Sequence, residues 1–200
     1  MRTLFVGDVH GCAAELEELL FRAAPDRVVL IGDLFTKGPA PEGVWDLVQT
    51  WGAEAVLGNH DDRVLRRGGH RGLGPAALDW LAALPLLLRG DGWIAVHAGL
   101  APNGGETTRD HALFLRRWPD DTKESNPFWW ELYEGSELVI YGHDARRGLQ
   151  DRRPRTLGLD TGCVYGGCLT GYVLETGELL DVPAREAYLP HSGRSEFPRS

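Results

Sequence analysis

The sequence predicts an α/β protein, and three observations carry that prediction. Short apolar runs rich in β-branched residues recur along the chain: TLFV, VVLI, AEAVL, WIAVH and LVIY. Runs of that length and composition read as strands. Between the early ones lie AAELEELLFRAA, PEGVWDLVQTW and PAALDWLAALP, whose apolar residues fall at helical spacing. Strand and helix alternate to about residue 90 and then give way to a strand-rich remainder, the pattern of a mixed α/β architecture.

Taken in order, TLFV opens the chain and runs into GDVHG, residues 7 to 11. Asp8 and His10 alternate across Val9, so an extended backbone would place both side chains on one face. After the first helix VVLI leads to LIGD and Asp33, and after the second AEAVL leads to VLGN, Asn59 and His60. WIAVH comes after the third helix and carries His97, and LVIY leads into YGH and His143. RRGGHRGLG and APNGGETT read as surface loops. The stretch RDHALFLRRWPDDTKESNPFWWELYEG predicts a helical insertion with an irregular middle. Residues 1–190 are expected to form one domain and residues 191–200 a polar, loosely held tail.

Composition sets the outer bounds. The chain has 200 residues, 42% of them hydrophobic, enough for a sizeable core. Its greasiest run, LPLLLRG, stops at Arg89, far short of the roughly 18 to 20 apolar residues a bilayer span needs. The first residues already form a strand, so a secretory leader is not expected and the cytoplasm is. A net charge of -8 argues against binding nucleic acid or an anionic membrane, both of which rely on a basic field. Cys12, Cys163 and Cys168 are odd in number and lack C-x-x-C spacing, which predicts reduced, structural thiols.

The informative residues lie just past the strands. Five apolar runs are each succeeded by a metal-ligand type: Asp8 with His10, Asp33, Asn59 with His60, His97, and His143. In α/β sheets, residues just past the carboxyl ends of strands converge on one crevice. Carboxylate, carboxamide and imidazole without thiolate suit manganese, iron, cobalt or zinc. Six donors exceed one zinc site and suit two divalent ions sharing a carboxylate, for which Asp33 is the choice. Two such ions would generate a bridging hydroxide that attacks phosphorus in line, which points to hydrolysis of a phosphate ester or anhydride.

GDVHG, GDLFTKGP, GNHD, HAGL and YGH, in that order, resemble the signature blocks of calcineurin-like metallophosphoesterases. The branch is the one holding protein Ser/Thr phosphatases and symmetrical diadenosine tetraphosphatases. The resemblance implies two packed β-sheets flanked by helices, with two metals, manganese first among them, at the carboxyl ends of the strands. It further implies that Asp8, His10 and Asp33 hold one ion, that Asp33, Asn59, His97 and His143 hold the second, and that His60 is the general acid.

The departures from that pattern bear on substrate. Phosphatases of the branch read GDxVDRG, where this chain has Thr36 and Lys37. Thr36 offers no charge to support His60, and Lys37 can attract phosphate only as a point charge. The tetraphosphatases also lack that aspartate, and their later block resembles LDTGCVYGGCLT at 159–170. The expected partner is therefore a small nucleotide polyphosphate, with a phosphoprotein as the alternative and a metal-binding regulatory role as the alternative of another class. Arg116, Arg117, Arg146 and Arg147 are available cations, and Arg117 is the one the resemblance favours for phosphate, against a solvated or ion-paired arginine. Trp129 and Trp130 are candidates for stacking on a base, against packing in the core. Asp160 either orients a ligand or merely ends a strand.

Overall fold

The computed structural model describes residues 1–102 and 105–189, so the expected tail at 191–200 and part of the APNGGETT loop lie outside the described residues. In chain order its elements are β1 (Thr3–Val6), α1 (Ala13–Ala23), β2 (Arg27–Leu30), α2 (Pro41–Trp51), β3 (Glu54–Ala55), α3 (Asn59–Arg66), α4 (Pro75–Ala82), β4 (Leu87–Gly90) and β5 (Trp93–Val96). There follow α5 (Arg109–Phe114), α6 (Trp129–Leu132), β6 (Leu138–Tyr141), β7 (Gln150–Arg152), β8 (Thr156–Gly158), β9 (Cys168–Val173) and β10 (Glu178–Pro183).

The strands form two five-stranded mixed sheets, ordered β10-β9-β1-β2-β3 and β4-β5-β6-β8-β7. Each has three parallel strands, β1-β2-β3 in one and β5-β6-β8 in the other, with antiparallel strands completing it. Strand alternation sorts the apolar side chains into layers. Phe5, Val29, Trp93, Ala95, Ile140 and Leu157 meet between the sheets, where the Phe5 and Trp93 rings touch edge to face at 4.9 Å. Leu4, Val6 and Leu30 face α1 and α2 on one outer side, while Ile94, Val96, Val139 and Tyr141 face Trp129 and Trp130 on the other. The fold is therefore two packed sheets flanked by helices.

The strand-rich remainder and the broken helical insertion are present, the latter as α5, an irregular middle and the single turn α6. AEAVL contributes only Glu54–Ala55 as strand. Helix α3 has no counterpart in the sequence expectation. It begins on Asn59 itself, so a candidate ligand forms its first turn.

Candidate metal centre

All six parallel strands point their carboxyl ends at one cleft of about 690 Å³. Past β1 come Asp8 and His10, past β2 Asp33, past β3 Asn59 and His60, past β5 His97, past β6 His143, and past β8 Asp160. Five of these ends are the ones the sequence pattern singles out. The sixth, Asp160, lines the cleft at 6% exposure beside Asp8 and Asp33. Asp8, Asp33 and His97 each bring a ligand atom within 4.8 Å of the others.

Turns, not strand alternation, aim these side chains. β1 ends at Val6, and His10 has a φ of 48°, so Asp8 and His10 meet through a left-handed turn and not across an extended backbone. Asp33 (φ 54°), Lys37 (71°) and His143 (72°) share that sparsely populated region. Strain of that kind persists where the surroundings over-determine it, and it concentrates at functional sites. The turns brace one another: His10 N donates to Asp33 O at 2.7 Å, Gly11 N to Leu34 O at 2.7 Å, and Gly142 N to His97 O at 2.8 Å. Glycine is required where they cross. A Cβ at Gly58 would collide with Asp33 N and Oδ1, and one at Gly142 would collide with Asp8 Oδ1.

Three imidazoles are anchored from behind, the arrangement that fixes a metal-ligating histidine. His97 Nδ1 is 2.8 Å from Ile31 O, leaving Nε2 3.0 Å from Asn59 Oδ1 and 3.6 Å from Asp33 Oδ1. His10 Nδ1 meets Thr36 Oγ1 at 3.2 Å, and its Nε2 lies 3.5 Å from Asp33 Oδ2 and 2.9 Å from Lys37 Nζ. The His143 ring bonds the backbone of Phe114, and its Nε2 is buried with no hydrogen-bond partner. His143 N donates to Asp8 Oδ1 at 3.1 Å. Asp61, for which the sequence pattern within GNHD suggests no role, is fully buried. Its carboxylate accepts from Leu34 N at 3.0 Å and Gly58 N at 3.2 Å, tying two of the turns together.

The electrostatics of this floor are those of a cation site. Burial, with Asp160 and Asp33 nearby, holds the Asp8 carboxyl well above its ordinary range. Burial pushes Asp33 and Asp160 up to about 6, and burial together with Asp33 takes Asp61 to about 7. Burial lowers His97 to about 4 and, with Lys37 and Arg63, His60 to about 3. His10 and His143 also lie well below their usual value, chiefly through burial. Mutually repelling carboxylates beside imidazoles held neutral form the donor set a divalent ion requires. With the orphaned Nε2 of His143, the residues fit the metals that the sequence pattern implied.

His60 is only half-buried, and its ring makes no hydrogen bond among the described residues; its N–H donates to Asp33 Oδ1 at 2.8 Å. Thr36 faces His10 and not His60. Lys37 lines the cleft, its ammonium 5.2 Å from the Tyr165 ring.

The opposite wall carries Arg116, Arg117, Arg146, Arg147 and Phe128. Arg117 lies 4.1 Å and Arg147 3.7 Å from the centre of the Phe128 ring, which stacks on Trp130 at 4.6 Å and 7°. Asp144 joins Arg147 at 3.3 Å to Arg116 at 3.7 Å. Trp129 and Trp130 are not available for base stacking. They are 0% and 4% exposed because α6 turns them onto the outer face of the second sheet, where Trp129 Nε1 donates to Ala98 O at 3.1 Å and Trp130 stacks on Tyr141. On this wall the aromatic that reaches the cleft is Phe128, one residue before Trp129.

The profile of the calcineurin-like phosphoesterase family matches residues 1–165. A symmetrical bis(5'-nucleosyl)-tetraphosphatase of Chromohalobacter salexigens is 29% identical, covering 92% of this chain and 98% of the relative. An asymmetrical bis(5'-nucleosyl)-tetraphosphatase of Geobacillus sp. is also 29% identical, covering 98% and 99%. The crystal structure of a candidate diadenosine tetraphosphatase superposes with a TM-score of 0.85 at 33% identity, covering 96% of this chain and 95% of that one.

Proposed function

Because the chain belongs to the calcineurin-like phosphoesterase family, and so is a metal-dependent phosphohydrolase, we propose that it hydrolyses a phosphoanhydride in diadenosine tetraphosphate or a related nucleotide polyphosphate. Asp8, His10 and Asp33 would hold one divalent ion and Asp33, Asn59, His97 and His143 the other. Manganese is the first choice for this oxygen and imidazole set, with iron, cobalt or zinc also accommodated. When bound, the ions supply Lewis acidity and a hydroxide at neutral pH.

The observation that carries the substrate class is the environment of His60. No carboxylate supports its ring, and burial with Lys37 and Arg63 holds its pKa near 3. A serine alkoxide, akin to hydroxide whose parent water has a pKa of about 15.7, cannot depart without a strong general acid. A terminal phosphate, with a second pKa of about 6, departs with little protonation. His60 as a neutral N–H donor meets the second need and not the first.

The wall fits the same substrate. Arg147, Arg116 and Arg117 can each grip a phosphate oxygen with a planar fork, and Lys37 adds a point charge nearer the floor. The Arg147 guanidinium, itself seated on the Phe128 ring, offers a planar surface for a base, in place of Trp129 and Trp130. Relatives of both cleavage symmetries align over nearly the whole chain, so the products decide the symmetry.

The test is product analysis. Metal-stripped protein reloaded with manganese is offered diadenosine tetraphosphate and a phosphothreonine peptide separately, with a chelated control. Chelator-sensitive breakdown of the dinucleotide, much faster than peptide dephosphorylation, is expected. ADP alone means symmetrical cleavage, and AMP with ATP means asymmetrical. Peptide turnover with an untouched dinucleotide overturns the proposal.

A further inference from the structure

Behind the cleft floor, on the α1 side, Cys12, Glu15 and Cys163 form a second buried cluster. Cys12 is the N-cap of α1, Glu15 lies in that helix's first turn, and Cys163 opens the short 3-10 turn Cys163–Tyr165. All three are 1% exposed or less, and both Sγ atoms and a Glu15 carboxylate oxygen lie within 4.8 Å of one another. None of the three touches the phosphate chemistry described above.

Glu15 is the informative member. A carboxylate in a core is costly unless something answers its charge. Its Oε1 accepts from Arg185 N at 2.9 Å and from Tyr188 Oη at 2.8 Å, so Arg185 contributes its main-chain N–H there. Its Oε2 is buried with no hydrogen-bond partner. Two thiols are its neighbours, and among the described residues no arginine or lysine side chain forms an ion pair with it. An acidic donor set with a free oxygen and no counter-charge calls for a cation.

We propose that Cys12, Glu15 and Cys163 bind a third divalent ion, a zinc-class metal distinct from the pair in the cleft. The spacing suits it: Zn–S bonds of about 2.3 Å in a tetrahedron put two sulfurs about 3.8 Å apart. Thiolate selects zinc, cobalt or cadmium over manganese, so the two sites sort metals by ligand softness. Binding displaces the two thiol protons to solvent and leaves two thiolates and one carboxylate on the ion. The segment after β10 closes the site from outside, with Leu189 N donating to Val164 O at 3.0 Å as well as the two bonds to Glu15. An ion here would clamp the turn bearing Asp8 and His10 to the loop bearing Asp160.

Cobalt provides a readout independent of turnover. The cleft donors are oxygen and nitrogen only, so a thiolate-to-cobalt charge-transfer band in the near ultraviolet reports the sulfur site alone. Titrating fully reduced, metal-stripped protein with cobalt is expected to raise that band to saturation by three equivalents, with an intensity that accounts for one thiolate-bound ion per chain. Native mass spectrometry of zinc-loaded protein is expected to find three ions per chain, falling to two in Cys163→Ala with loss of the cobalt band. Absence of the band from folded, reduced wild-type protein at saturating cobalt overturns the proposal, and so does its persistence in both Cys163→Ala and Cys12→Ser. If the variants fail to fold, the wild-type spectrum and ion count decide alone.

Discussion

The floor of the cleft takes its donors from the ends of six parallel strands, while the wall facing it hangs from segments with little regular structure between residues 114 and 150. On the floor, Asp8, His10, Asp33, His97 and Asp160 are all at most 6% exposed and fixed by backbone turns. On the wall, Arg117 and Phe128 meet through one isolated bridge, and Arg147 is exposed on a short 3-10 turn. The floor is rigid because each of its groups depends on the main chain. The wall is held by a few backbone bonds, Trp118 N to Pro127 O at 2.9 Å and Trp129 N to Arg116 O at 3.0 Å, together with side-chain stacking, and its exposed Arg147 can be exchanged with little disturbance to the fold. On the proposed function, that difference puts the chemistry on the floor and substrate choice on the wall.

The largest effect is expected at Asp33, the proposed shared ligand. Asp33→Asn keeps the shape of the turn but weakens the negative donor between the two ion positions, and kcat should fall by at least about 10³-fold. Steady-state kinetics on both the dinucleotide and a generic aryl phosphate check it, since a floor defect strikes every substrate alike. A loss confined to the dinucleotide would break the division between floor and wall.

Asp61 tests whether the floor is a unit of stability as well as chemistry. Asp61→Ala strands two buried amides, Leu34 N and Gly58 N, and should cost about 2 to 4 kcal/mol. Denaturant unfolding of metal-free protein measures it. Asp61→Asn, which keeps an acceptor oxygen, should recover about half.

Arg147 addresses the wall. Arg147→Ala removes a guanidinium that covers Phe128, and KM for the dinucleotide should rise about 10- to 100-fold with kcat changed only a few-fold. The aryl phosphate, too short to reach the wall, should show no change in either constant. Equal losses on both substrates would mean that the wall positions the reacting phosphate itself.

The contrast also accounts for what could be read from the sequence. Most floor residues were legible because they announce themselves locally: an apolar run ends, at Asp8, Asp33, Asn59 and His143 a glycine lets the chain turn, and a ligand type comes next. Asp160 was harder because β8 is only three residues long, TLG, and gives little strand signal. Asp61 was missed because its work is to accept two backbone amides, which no spacing reveals. On the wall, the sequence offers Trp129 and Trp130 for stacking, whereas it is Phe128 that lines the cleft. A single helical turn at α6 sends Trp129 and Trp130 inward and leaves Phe128 at the rim, and that phase is set by packing on Tyr141 rather than by any local pattern.

The smallest effect separates the two regions by the variable that perturbs each. Burial raises the Asp33 carboxyl to about 6 and holds that of Asp8 well above its ordinary range, so near pH 6 in metal-free protein these proposed ligands retain protons that an incoming ion must displace. His97, lowered to about 4, is already neutral there and adds no opposing proton. Metal affinity should therefore fall as pH falls from 7.5 to 6. Calorimetric titrations in buffers of differing ionisation enthalpy would show the proton release directly. The wall acts through guanidinium groups, so the KM for the dinucleotide should respond instead to ionic strength, rising as salt screens the guanidinium-phosphate contacts. A metal affinity indifferent to pH would mean that the floor carboxylates are already ionised in the metal-free protein, and the cation-seeking character argued for them would have to come from geometry alone.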